Sequence, residues 1–434
     1  MVMKQVMTVQ AKSLFVLMLL LGLGRLSAAY PQANDGISTT RHRIIVDGKP
    51  LQYIARAGRI PILDNETGEV HGWMFFTSYS LYEGPAGRPV TFLWNGGPGS
   101  SSSLVHLLGF GPRRLDVEGD AHDNQGTWLD FTDLVFIDPI GTGYSRPSKA
   151  EYGKEFYQTR GDAESVAEFI RVYRNRYQIW NSPLYLTGES YGVVRAAGVA
   201  DVLQRRGIKV SGIVLIGLAL PLASFSEEQR AAFALPTWTA AAWANQMLPK
   251  DLMPELGSAL RQSEAWAAGD YAKALARKDQ LTIKERDELV QKLSRFTGME
   301  ANAIDRKTMS IRMEDVSGKL LASRNLVVGR YDSRLTGPRD PGETSYDPTR
   351  DPSLKNIIND TGVSRYFRNE LNYESDLQYQ GPFGGGYPPP STPRGDWMST
   401  RWDFGNPEII KSGNISALGE ASMRRALAAN PELR

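Results

Sequence analysis

The heptapeptide Leu186-Thr-Gly-Glu-Ser-Tyr-Gly192 sets one serine between two glycines, in the pattern Gly188-x-Ser190-x-Gly192. The apolar run Leu184-Tyr185-Leu186 before it predicts a buried strand. Val194, Ala197 and Leu203 after it follow a helical pattern, at steps of three and six. Strand, tight turn and helix in that order form the setting that turns this motif into a nucleophile elbow. Gly188 and Gly192 let the two backbones pass close together. The turn holds Ser190 Oγ clear of the sheet, at a helix N-terminus whose free N–H groups favour developing negative charge. A glycine-flanked serine in an ordinary strand–helix loop is the plainer alternative.

A second stretch narrows the choice. The apolar segment 90–94 predicts a strand that runs into Asn95-Gly-Gly-Pro-Gly-Ser-Ser-Ser-Ser103. Acyl transfer needs backbone N–H groups aimed at an oxyanion. In a strand–elbow–helix scaffold one comes from the residue after the nucleophile, here Tyr191, and another from a glycine-rich loop after an earlier strand. A phosphate-cradling loop is the competing reading, but no lysine follows these glycines as such a loop requires. A plain turn is also possible, although this glycine run is longer than a turn needs.

Three stretches together resemble the serine carboxypeptidase family: Leu93-Trp-Asn-Gly-Gly-Pro-Gly-Ser-Ser-Ser102, Phe136-Ile-Asp-Pro-Ile-Gly-Thr-Gly-Tyr-Ser145 and Gly188-Glu-Ser-Tyr-Gly192, in that order. The likeness is good over residues 40–220 and loose beyond. It implies an α/β-hydrolase fold that removes C-terminal residues from peptides. By resemblance, Ser190 is the nucleophile, the N–H groups of Gly97 and Tyr191 form the oxyanion hole, and Asn95 and Glu189 hold the substrate's terminal carboxylate. A carboxylate against Glu189 is tolerable only if the two share a proton, because like charges in contact raise one pKa. Acidic conditions would favour that. Ser100 stands where many relatives have Cys, and Gly109 where some have a Glu of the carboxylate-binding network. An esterase or acyltransferase on the same scaffold stays open, since a fold does not set the acyl substrate. So does a non-catalytic protein that binds peptide C-termini.

Composition bounds the rest. The 434 residues are 41% hydrophobic and 23% charged, which suits a globular chain with a large core. A net charge of +2 offers no argument for nucleic acid or an anionic membrane. There is no cysteine, which excludes disulfides, thiolate nucleophiles and Cys-based metal sites; no metal or cofactor is expected. Lys4 and Lys12 precede an apolar run at 13–23, and Ser27-Ala28-Ala29 offers a cleavage site. Residues 1–29 therefore read as a signal peptide, with an uncleaved anchor as the alternative. After cleavage no stable membrane span remains. Export without cysteine suggests a bacterial periplasm.

Strand patterns at 43–46, 51–56 and 70–79, parted by turn signals, predict an antiparallel lead-in. Strands at 90–94, 133–138, 184–186 and 210–216 alternate with helices, notably 162–177, where Val166, Phe169, Ile170, Tyr173 and Tyr177 share a face. That alternation predicts a mostly parallel sheet covered on both faces. Residues 30–221 read as the N-terminal part of the core. Residues 222–375 change character, with helical stretches at 254–276 and 283–296, and read as a cap insertion; a separate domain is the alternative. Trp238, Trp243 and Trp266 are candidates for a side-chain pocket, or for ordinary core. The 381–395 stretch is a Gly/Pro loop. Residues 376–434 read as an incomplete C-terminal part of the core, with a helix at 416–430 whose apolar residues are Leu418, Met423 and Leu427.

A base is missing from this pattern. The scaffold's order is Ser, then Asp or Glu, then His. His42, His71, His106 and His122 all precede Ser190. The expectation is a chain cut short before its last strands, with impaired activity. His106, just after the glycine loop, is the remote candidate for a substitute base.

Overall fold

Strand β3 (Val70–Leu81) shows how the sheet is packed. Side chains alternate across a strand, so Phe75 and Tyr79 face one side while Phe76 faces the other, with its ring 5.6 Å from Phe169 and 5.5 Å from Tyr173. The computed structural model describes residues 36–217, 226–339, 351–353, 360–381, 402–405 and 416–434. The leader expected at 1–29 and nearly all of the 381–395 loop lie outside the described residues. Ser38–Arg434 forms one unit of the chain, and it holds every element of the fold.

The lead-in is β1 (Ser38–Val46), β2 (Lys49–Leu63) and β3, antiparallel throughout as expected, with β2 far longer than its sequence pattern. Then come β4 (Val90–Trp94), the small hairpin β5 (Arg113–Leu115) and β6 (Ala121–Asp123), β7 (Asp133–Ile137), β8 (Arg146–Pro147), β9 (Leu184–Glu189) and β10 (Gly212–Ile216). The eight-stranded sheet runs β1-β2-β3-β7-β4-β9-β10, with β8 against β3. Pairing is parallel only from β7 to β10; β3 meets β7 antiparallel. The sheet is thus mixed, because the three lead-in strands and β8 join the parallel strands by antiparallel pairing.

Helices α1 (Thr159–Arg176) and α2 (Tyr191–Arg205) cover the face that carries Phe76. Val166, Phe169, Ile170 and Tyr173 of α1 are buried as the period predicts. The opposite face holds Phe75, Tyr79, Leu93 and Phe136 in one cluster with Val363 and Phe367.

A second hydrophobic cluster draws all its buried residues from 232–328. It is built by α3 (Glu227–Ala244), α4 (Leu256–Trp266), α5 (Ile283–Thr297) and α6 (Met313–Lys319), with a hairpin of β11 (Leu326–Val328) and β12 (Thr336–Pro338). Capping boxes start α3 at Ser226 and α5 at Thr282, satisfying N–H groups that the first turn leaves unpaired. Trp266 is buried here; Trp238 and Trp243 pack on the cluster and donate to the Ile311 and Met253 carbonyls at 3.2 and 2.9 Å. All three tryptophans thus pack into or against this cluster. Helix α7 (Asp360–Asn369) departs from the expected boundary at 375: Val363, Tyr366 and Phe367 pack on the sheet.

Helix α8 (Ser416–Ala429) lies on α2. Among its described residues Gly419 and Ala426 are buried, and Met423 packs on the cluster that holds Tyr191, whereas Leu427 points outward. The small alanine lets α8 approach closely enough for Arg425 to reach Asp201 at 2.7 Å. Asn430 Nδ2 then donates to the Val210 carbonyl at 2.8 Å, and Ile213 N–H on the outer side of β10 donates to Arg434 O at 2.8 Å.

Candidate active site

β9 ends at Glu189 and α2 begins at Tyr191, so Ser190 alone makes the turn. Its φ of 56° lies where non-glycine residues rarely sit. The strain is held by two bonds: Ser190 N–H donates to Ile216 O at 2.9 Å, and Ser190 O accepts from Val193 N–H at 3.0 Å. A Cβ on Gly188 would fall 2.0 Å from Gly192 O, so glycine is obligatory there.

The glycine loop leaves β4 directly opposite, because β4 and β9 are parallel neighbours with Trp94 across from Gly188. The contact is backbone on backbone: a Cβ on Gly96 would lie 2.5 Å from Tyr191 N and 2.6 Å from Glu189 O. Trp94 Nε1 donates to Gly192 O at 2.9 Å, closing the same seam. Gly97 turns the loop at φ 99°. Among the described residues, neither Gly97 N–H nor Tyr191 N–H has a backbone acceptor. For Tyr191 the reason is its position: the first residues of a helix have no acceptor a turn earlier.

Asn95 is fully buried, and its side-chain amide and its carbonyl are all bonded. Its Nδ2 donates to Glu189 Oε2 at 3.0 Å, its Oδ1 accepts from Val105 N–H at 3.1 Å, and its backbone carbonyl accepts from Arg195 Nη1 at 2.6 Å. All five residues singled out from the sequence, Asn95, Gly97, Glu189, Ser190 and Tyr191, therefore sit on two touching loops.

The third motif supports the glycine loop from beneath. Asp138, at the end of β7, accepts from Ser102 N–H at 2.7 Å, while Ser145 Oγ donates to the Asp138 carbonyl at 2.6 Å. A Cβ on Gly143 would overlap Asp138 Oδ2. Burial pushes the Asp138 carboxyl up to about 7, against the pull of the Ser102 N–H.

The histidines are engaged elsewhere. His106 is buried in the cluster on the Phe75 face, bonded to Tyr79 Oη at 2.6 Å and stacked 4.3 Å from Phe136, and burial lowers it to about 3. It is not a substitute base. His71 meets Glu155, His122 meets Asp116, and His42 meets Thr40.

Sequence reading missed Arg195. It sits on α2 between buried Val194 and Ala196, with its side chain 0% exposed, and its Nε donates to Asp162 Oδ2 at 2.7 Å. The available signal was an arginine inside an otherwise apolar helix face, which demands a buried partner.

A parallel sheet segment, a strained serine between strand and helix, and a facing glycine loop define an α/β-hydrolase scaffold. Residues 53–379 match the serine carboxypeptidase family profile, and the chain belongs to that family. The pheromone-processing carboxypeptidase of Tuber melanosporum is 31% identical over 158 residues, 36% of this chain and 24% of that protein. That of Yarrowia lipolytica is 30% identical over 208 residues, 47% of this chain and 32% of that protein. The matched stretch thus spans less than a third of either relative. Among solved structures, a prohormone-processing carboxypeptidase from Saccharomyces cerevisiae aligns with a TM-score of 0.45 and 16% identity, over 86% of this chain and 76% of that one.

Proposed function

We propose that this chain is a carboxypeptidase-like peptide hydrolase. Ser190 Oγ attacks the last peptide carbonyl, the N–H groups of Gly97 and Tyr191 receive the oxyanion, and Asn95 with Glu189 holds the terminal carboxylate. The observation that carries this reading is the Asn95–Glu189 hydrogen bond directly beside the strained serine. It sets a carboxylate-recognition pair one residue from the nucleophile, so that only the final peptide bond reaches Ser190. The helical insertion forms a cap over this site.

No histidine follows Ser190 in this chain, and all four have other partners. A serine hydroxyl without a base is a weak nucleophile. Turnover is therefore expected at the residual level that oxyanion stabilisation and binding supply, roughly 10³–10⁴ over water. The same observation favours a second reading, a binder of peptide C-termini that keeps the recognition pair without turnover.

The basic and apolar pattern of residues 1–29 supports export. The two pheromone-processing relatives are fungal, and a bacterial periplasm finds no support among them. No helix among the described residues is long and apolar enough to cross a membrane.

The test is purified protein with an N-blocked dipeptide, its ester analogue and N-acetyl-phenylalanine. Slow amino-acid release that Ser190→Ala abolishes supports the hydrolase. Binding without release supports the binder, and ester cleavage alone an esterase. Fast, Ser190-dependent release would overturn the impairment, and failure to bind any of the three would overturn the whole reading.

A further inference from the structure

We propose that Arg195 is a positioning residue that aligns the glycine loop with the nucleophile elbow; this rests on the function proposed above. Three contacts carry it. Arg195 Nη1 donates to the Asn95 carbonyl at 2.6 Å, Nε to Asp162 Oδ2 at 2.7 Å, and the guanidinium carbon lies 5.3 Å from the centre of the Tyr191 ring. One side chain thereby joins the start of the glycine loop, the first turn of α1 and the residue that follows Ser190.

The loop needs such a hold. Asn95 precedes two glycines, and Gly97 at φ 99° has no side chain to anchor it. The Gly96 carbonyl accepts from Ser100 N–H at 3.2 Å, which fixes one peptide plane within the loop but not the loop against α2. The Asn95 carbonyl belongs to the preceding plane, and Arg195 grips it from α2 itself. Charge makes the grip stiff: the guanidinium and the Asp162 carboxylate are 0% and 3% exposed, and a charge-assisted bond in that setting is short and directional. The Asn95 side chain is held separately, by Val105 N–H and Glu189. Arg195 should therefore govern the oxyanion donors more than the carboxylate pair.

The test separates those two functions. Benzeneboronic acid probes the oxyanion donors without a general base: Ser190 Oγ forms a bond to boron, the hydroxyl proton passes to solvent, and the four-coordinate boronate carries the negative charge. N-acetyl-phenylalanine probes the carboxylate pair. Hydrogen exchange across 93–104 reports the loop without any ligand. In Arg195→Met we expect boronate affinity to fall by about tenfold or more, exchange across the loop to rise by about tenfold, and N-acetyl-phenylalanine affinity to hold. Arg195→Lys should recover part of both losses. Arg195→Met/Asp162→Asn removes the buried pair together, so that no lone carboxylate unfolds the protein, and it should behave as Arg195→Met. Unchanged loop exchange, or an equal loss of both ligands with exchange rising across the whole chain, overturns the proposal. If the native protein takes neither ligand, the proposed function falls, and loop exchange alone decides whether Arg195 holds the loop.

Discussion

The side-chain amide of Asn95 donates to Glu189 Oε2 across 3.0 Å, joining two residues 94 positions apart in the chain. This bond orients Glu189 one position before the serine. It also ties the first residue of the glycine loop to the last residue of β9.

If the pair holds a terminal carboxylate as proposed, ligand binding should depend on pH. A bound carboxylate beside Glu189 must share a proton with it, so binding takes up a proton and affinity falls as pH rises. The native protein should lose N-acetyl-phenylalanine affinity by up to about tenfold per pH unit above the acid range. Glu189→Gln, which carries its own donor, should flatten the profile in calorimetric titrations. A flat native profile from acid to neutral pH would count against the pair as a carboxylate site.

Gly96→Ala tests the seam between the loops. The added methyl would stand 2.5 Å from Tyr191 N, with backbone on both sides and no flexible side chain to yield. Overpacking of this kind costs about 1–3 kcal/mol. The urea midpoint should drop accordingly and boronate binding should be lost with it. A variant as stable as the native protein would mean that the loops do not touch.

Asp138 makes a signed contribution to stability. Its carboxyl moves from an ordinary 3.8 to about 7 on folding. The folded state thus holds the proton more tightly, and this contribution is fully present below about pH 4 and is lost as pH rises through 7. The difference corresponds to roughly 4 kcal/mol as an upper bound. Asp138→Asn stays neutral and keeps an oxygen for Ser102 N–H. Stability measured from pH 5 to 8 should fall less with pH in the variant. Parallel profiles would show that Asp138 is ionised at pH 5 in the native protein.

His106 should behave in the opposite sense. Burial lowers it from 6.5 to about 3, so its contribution is present above 6.5 and is lost as pH falls toward 3. His106→Phe should remove that part of the acid sensitivity. Whatever slow turnover the protein shows should survive the change, since His106 faces Tyr79 and Phe136 rather than the serine. Loss of turnover in a folded His106→Phe protein would reinstate it as a base.

Local pattern alone determined a good deal. The elbow at 186–192, the glycine loop after Trp94 and the buried face of α1 were all legible, because each rests on glycines or apolar periods within a few residues. Asn95, Gly97, Glu189, Ser190 and Tyr191 come from two short motifs, which the parallel pairing of β4 with β9 sets side by side. Tertiary structure decided what those motifs meet. Strand β7 slips between β3 and β4, so that the antiparallel lead-in joins the parallel strands through β7, and no local signal sets strand order. Ala426 rather than Leu427 faces α2, because helix approach selects the smaller residue. Asp162, in the first turn of α1, is buried against Arg195, 33 residues away, which in turn holds Asn95, 100 residues away. A buried ion pair forms only when folding removes both partners from water together, and nothing in either partner's neighbourhood announces the other.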